Sequence, residues 1–203
     1  MKQAIVLAAF SVVACTCFAK PVAEVSAYSI NKSYTDTVTL KISGMNEMFA
    51  EIINVAGLQH GYELKEADVL NIEASITHGK KYILYNPTYI ATLTNITKNK
   101  WAAMTLLAHE VGHHLNGHTR RRGGSKPALE LEADEFAGFI LQKLGATLGE
   151  AQQVMYFIAK TNASSTHPAR SSRLLAIEKG WNKAAGAAQL KNIVAEPSIL
   201  QAE

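Results

Sequence analysis

The sequence predicts an α+β fold: a small hairpin or sheet near the front of the chain, then a mainly helical half. Two observations carry this. Val69 to Thr77 alternates apolar and polar side chains after its first residue, and a glycine turn then leads into the short run Tyr82 to Tyr85, as in a half-buried hairpin. From about Asn99 onward, apolar residues recur at helical spacing almost throughout. Strands first and helices after, rather than in alternation, mark an α+β domain and not a parallel α/β sheet. With 20 basic and 17 acidic residues the net charge is +3, too mild for a nucleic-acid binder, which needs a clustered basic face. Two cysteines among 203 residues exclude a disulfide-rich scaffold.

The elements follow in chain order. Met1-Lys2 is a short positive start, and Ala4 to Ala19 runs 16 residues without a charge. As a helix that run spans about 24 Å, short of the roughly 30 Å hydrocarbon core, so residues 1–19 read as a secretory signal peptide. Cleavage after Ala19 leaves a mature chain without cysteine. Val12-Val13-Ala14-Cys15 also resembles the box before a lipidated cysteine, which would instead anchor an exported lipoprotein at Cys15; Cys17 lies in the same segment. Either route takes the chain to a bacterial periplasm or outer-membrane surface. Residues 20–183 read as one domain and 184–203, weakly patterned around Pro197, as a poorly ordered tail.

Within the domain, residues 20–36 are a mixed polar lead-in and Thr37 to Ile42 alternates as a strand. Asn46 to Ala56 predicts a helix, with Asn46 as cap, an apolar stripe of Met48, Phe49, Ile52, Ile53 and Ala56, and Gly57 as stop. Val69 to Thr77 predicts a strand, with Leu70, Ile72, Ala74 and Ile76 on one face. His78-Gly79-Lys80 is the turn and Tyr82 to Tyr85 the partner strand, ended by Asn86-Pro87. Helices are predicted at 99–116, 127–144, 148–162 and 168–180, joined by glycine-bearing loops at Gly117 to Ser125 and Gly145 to Gly149.

Two neighbouring helices carry the chemistry. His109-Glu110-Val111-Gly112-His113 has the form H-E-x-x-H. Four residues along a helix set His109 and His113 about 40° apart and one turn from each other, so both imidazoles can share one tetrahedral zinc ion. Glu110, about 100° round, can reach a water on that ion without ligating it, as a general base must. Met104, Leu107, Ala108, Val111 and Leu115 predict a buried helix, and Gly112 permits close approach of another backbone. Glu130 and Asp134, on the next helix, are again four apart and share a face. Glu130 is the third ligand; two histidines and one carboxylate leave a fourth position open, the catalytic rather than structural pattern. Asp134 suits an acceptor that fixes a ligand histidine from behind. Glu132 and Glu135 read as an exposed acidic helix start.

Other candidates have plainer readings. His114 and His118 lie about 140° and 180° from His109 on a straight helix, so they read as a polar back face and a helix end. His60 and His78 flank glycines in turns. Arg120-Arg121-Arg122-Gly123-Gly124 reads as a solvated connection or a flap near the site. Pro168 fits a first helical position with Thr166 or His167 capping, and Arg173 a surface ion pair.

Taken together, His109-Glu110-x-x-His113, Glu130-x-x-x-Asp134 and Thr166-His167-Pro168 followed by Arg173 resemble the HtpX-like and CAAX-prenyl-endopeptidase-like zinc metallopeptidases, of gluzincin type, over residues 80–180. The resemblance implies a zincin-like domain holding one zinc ion on His109, His113 and Glu130, with Glu110 as catalytic base and Asp134 behind the ligands. It also implies that His167 and Arg173 lie near the cleft and stabilise the transition state or gate the site. Many members of that family have several membrane spans; here no stretch after residue 19 approaches that length. The expectation is a zinc metalloendopeptidase acting on cell-envelope proteins or peptides, with an extended substrate pairing along Lys80 to Tyr85. The alternative expectation is an envelope assembly factor with a latent or rarely used protease site. The sequence gives no oligomeric state.

Overall fold

A computed structural model describes residues 44–58, 61–120 and 126–195, with side chains to residue 187. These belong to one compact unit, Leu40–Glu203. The signal segment with Cys15 and Cys17, the lead-in, the strand expected at 37–42, His60, Arg121 to Gly124 and residues 196–203 lie outside the described residues.

Helix α1, Met45–Val55, buries Met45, Phe49 and Ile52. It starts one turn position earlier than expected, with Gly44 at the N-cap and no side-chain cap, so Asn46 lies inside the first turn. Three strands follow: β1 (Tyr62–Glu66), β2 (Ile72–Thr77) and β3 (Lys80–Tyr85), in sheet order β1-β3-β2. β2 and β3 form the expected antiparallel hairpin, Ile72 opposite Tyr85 and Thr77 opposite Lys80. His78 and Gly79 close it with φ of 51° and 79°, the two positive values that a tight hairpin turn needs. The strand begins at Ile72 and not Val69, and Leu70 is exposed.

β1 was not foreseen. It pairs in parallel with β3, Tyr62 opposite Lys81. Its Tyr-Glu-Leu-Lys-Glu sequence lacks strand-forming residues at three of five positions, and a parallel partner leaves no local turn to read. Its presence makes β3 the central strand. The expectation that a peptide pairs along Lys80 to Tyr85 is therefore wrong: both of that strand's edges are taken, and among the described residues β2 is an outer strand of the sheet.

Helix α2, Pro87–Thr97, was also not foreseen, because its many β-branched residues argue against a helix. Local chemistry overrides them. Pro87 sits at the first helical position, and the Asn86 side chain accepts from the Thr88 and Tyr89 amides.

Helix α3, Trp101–Leu115, runs through the centre, with every residue from Ala102 to Gly112 buried. Helix α4, Pro127–Lys143, crosses it at Gly112, where an added Cβ would lie 3.2 Å from the Ala133 Cα. Helix α5, Leu148–Ile158, starts from a capping box formed by Thr147 and Glu150 and ends four residues before its expected stop. Helix α6, Arg170–Ala195, packs on α4 so closely that a Cβ at Gly138 or Gly180 would strike the Ile177 or Glu135 carbonyl oxygen. Glu135, expected exposed, pairs instead with Lys179, at 2.7 Å, and with Lys183 of α6. The last helix starts at Arg170, past Pro168, so neither Thr166 nor His167 occupies its cap. It also continues past the end expected at residue 180, through 184–195 where a tail was expected, and Ala184 is fully buried. Among the described residues no helix is long and apolar enough to cross a membrane.

Candidate metal centre

His109 and His113 project from α3 toward α4, as their one-turn spacing requires. Their Nε2 atoms are 3.0 Å apart. Glu130 of α4 reaches both: Oε2 is 3.5 Å from His109 Nε2 and Oε1 is 3.5 Å from His113 Nε2. The two carboxylate oxygens thus face one histidine each, and one ligand atom from each of the three residues lies within 4.8 Å of the others. The group is largely buried and could hold a metal ion. Two imidazole nitrogens at this distance repel unless a proton or a cation lies between them.

Charge around the triad also favours a cation. Burial opposes protonation of His109, yet the Asp134 and Glu130 carboxylates pull its pKa up to about 10. Burial and the neighbouring His109 push His113 down to about 4. One imidazole is thus ready to ligate, and the other keeps a proton in the place a metal cation would take.

Each ligand histidine is braced from behind. His109 Nδ1 lies 2.9 Å from Asp134 Oδ1, close but off the line of a straight hydrogen bond. Arg173 of α6 grips that fully buried carboxylate with two bonds, Nε to Oδ2 at 2.7 Å and Nη2 to Oδ1 at 2.8 Å. Burial alone would raise the Asp134 pKa; His109 and Arg173 hold it below the ordinary carboxylate value. Arg173 Nη2 also lies 3.5 Å from Glu130 Oε2. Arg173 is therefore a buried clamp joining α4 and α6 and not a surface ion pair.

Behind His113 stands His118, with the two Nδ1 atoms 2.9 Å apart. His118 is buried, and its Nε2 lies 2.9 Å from Glu132 Oε2. The straight-helix expectation for His118 fails at Gly117. Its φ of 69° is left-handed, ends α3 and swings the chain back under the helix into a short 3-10 turn, His118–Arg120. Glu132 does point away from the triad, but onto His118. His114, expected on a polar back face, is buried under the sheet, with Nε2 2.8 Å from the Tyr82 carbonyl and its ring edge-on to Tyr62.

Glu110 does not join the triad. Its Oε2 accepts from the Ala74 amide at 2.8 Å, which ties the carboxylate to β2, an outer strand of the sheet among the described residues. Burial raises its pKa to about 7, where a carboxylate can both take and return a proton near neutrality. Glu110, the triad and Arg173 line one cleft of about 560 Å³, bordered by Asn71 and by Ile72 to Ala74 of β2. His167 is exposed at the cleft's margin, its Nδ1 2.8 Å from Thr166 Oγ1. Leu106, Leu129, Met155 and Ile158 give the cleft an apolar side.

The structure thus brings together His109, Glu110, His113, Glu130, Asp134 and Arg173, and places His167 on the lining of the same cleft. Comparison with family models, curated proteins and solved structures gave no match to this chain.

Proposed function

We propose that the chain is a zinc-dependent metalloendopeptidase with a zincin-like domain, related to the HtpX-like group. One observation carries this reading: a largely buried His-His-Glu group, close enough to share one ion, opens into the same cleft as a carboxylate with a pKa near 7. Borderline-soft imidazoles with a single carboxylate suit zinc better than calcium or magnesium, which prefer oxygen ligands. When bound, zinc supplies Lewis-acid polarisation of a carbonyl and makes water more acidic.

The chain's own residues do the rest. Glu110, steered by the Ala74 amide, takes a proton from the attacking water on Oε1 and returns it to the leaving amine. The outer edge of β2 offers backbone groups beside Glu110, so an extended peptide pairs there as an added strand. Peptide and protein substrates follow from that edge, and the apolar side of the cleft takes a side chain. The Asp134–Arg173 clamp holds His109 and Glu130 in place. The signal segment directs this activity to the cell envelope, where it serves protein quality control.

The test is cleavage of a denatured test protein by the zinc-loaded chain. Activity should vanish with a chelator, return with zinc, and fall by at least 100-fold in Glu110→Gln while the zinc stays bound. Equal cleavage by wild type and Glu110→Gln would refute the mechanism.

A further inference from the structure

We propose that His118, steadied by Glu132, is the positioning residue for His113: it fixes the tautomer and ring direction with which that histidine meets a cation. The inference rests on the metal-centre reading above and goes beyond it, because neither residue belongs to the triad.

Ligation through His113 Nε2, with His118 neutral, fits one arrangement of the ring protons. His113 faces the triad through Nε2, 3.0 Å from His109 Nε2 and 3.5 Å from Glu130. Ligation through Nε2 requires that nitrogen bare, so the ring proton sits on Nδ1. Nδ1 is 2.9 Å from His118 Nδ1, and two ring nitrogens can share that space only if one lacks a proton. His118 Nδ1 therefore accepts, which puts its own proton on Nε2. That nitrogen is 2.9 Å from Glu132 Oε2, a carboxylate that can only accept. Each donor in the row meets one acceptor. Reversing the first bond would put the His113 proton on Nε2 and block ligation. The row Glu132–His118–His113 thus selects the ligating tautomer before any metal arrives. His118 can do this because it is buried, its side chain only 3% exposed, whereas Glu132 is 53% exposed and draws water as well.

The experiment uses the full chain, stripped of metal and titrated with zinc against a chelator of known affinity. His118→Ala should weaken zinc binding by about 10- to 100-fold with helix content unchanged. His118→Asn keeps an acceptor oxygen near the position of Nδ1 and should retain most of the affinity. Glu132→Ala should lose less than His118→Ala, since water replaces an exposed partner. A second measurement separates positioning from folding. In the cobalt-loaded chain, the shifted N–H proton of His113 should exchange slowly with solvent in wild type and His118→Asn, and rapidly in His118→Ala. Should His118→Ala fail to fold, His118→Asn against Glu132→Ala carries the same comparison. Equal zinc affinity and equal N–H exchange in wild type and His118→Ala would overturn this inference alone. A wild-type chain that binds no zinc would overturn the metal centre and this inference with it.

Discussion

The two walls of the cleft are built on opposite plans. The helical wall holds the triad and has no slack: α3 meets α4 at Gly112, and α4 meets α6 at Gly138 and Gly180, where an added methyl group would strike backbone. The sheet wall meets α3 through the bond from Ala74 to Glu110 and through His114 beneath Tyr82, and among the described residues it leaves β2 as an outer strand. On the proposed function, rigidity falls where ligands would hold fixed distances, and an outer strand where a substrate would enter. Changes on the helical wall should cost stability and metal together. Changes on the sheet wall should cost turnover alone.

The largest expected effect is on the helical wall. Arg173→Ala removes both bonds that Arg173 makes to the buried Asp134 carboxylate and leaves His109 beside it, which costs up to about 3 kcal/mol. Thermal unfolding of the metal-free chain should show that loss, and zinc affinity should fall with it. If stability is unchanged, the clamp is not what holds α6 to the site.

Ala74→Pro is the matching test on the sheet wall. The Ala74 N–H points off the sheet to Glu110, so proline removes that bond and spares the pairing with β3. Cleavage should drop by roughly 10- to 100-fold, with zinc stoichiometry and melting temperature close to wild type. A large fall in melting temperature would mean the two walls are mechanically one.

The smallest effect is graded in pH. With the His109 pKa raised from 6.5 to about 10 in the metal-free fold, metal must displace a proton throughout that interval. Apparent zinc affinity should therefore climb about tenfold per pH unit from pH 6.5 upward. The sign for stability is the reverse. A raised histidine pKa stabilises the fold fully below 6.5 and loses that contribution as pH rises to about 10. The metal-free chain should melt progressively lower across that interval. A flat zinc affinity from pH 6.5 to 9 would contradict a protonated His109 in the metal-free pocket.

How far the sequence reveals this arrangement depends on how local each feature is. One-turn spacing within a single helix places His109 with His113 and Glu130 with Asp134, and the structure brings those four together. Gly112 reads correctly as a point of close approach because the requirement for a small residue is carried by one position. The misses are non-local. β1 has no turn linking it to its parallel partner, so β3 was read as available for pairing. His118 was placed by extending a straight helix past Gly117, whose left-handed backbone ends the helix and reverses the chain. A glycine four residues after the second histidine of the motif, followed at once by another histidine, was the available signal. Arg173 taken by itself read as a surface pair, and only the resemblance put it near the cleft where it lies, because burial by α4 cannot be seen from α6 alone.

The most direct test of the central claim is a zinc titration of the metal-stripped wild-type chain beside Glu130→Ala. The account predicts one tightly bound zinc per wild-type chain and a loss of at least about 100-fold in affinity in the variant, both proteins folded. Equal binding by the two, or none by wild type, would contradict a metal centre made of His109, His113 and Glu130.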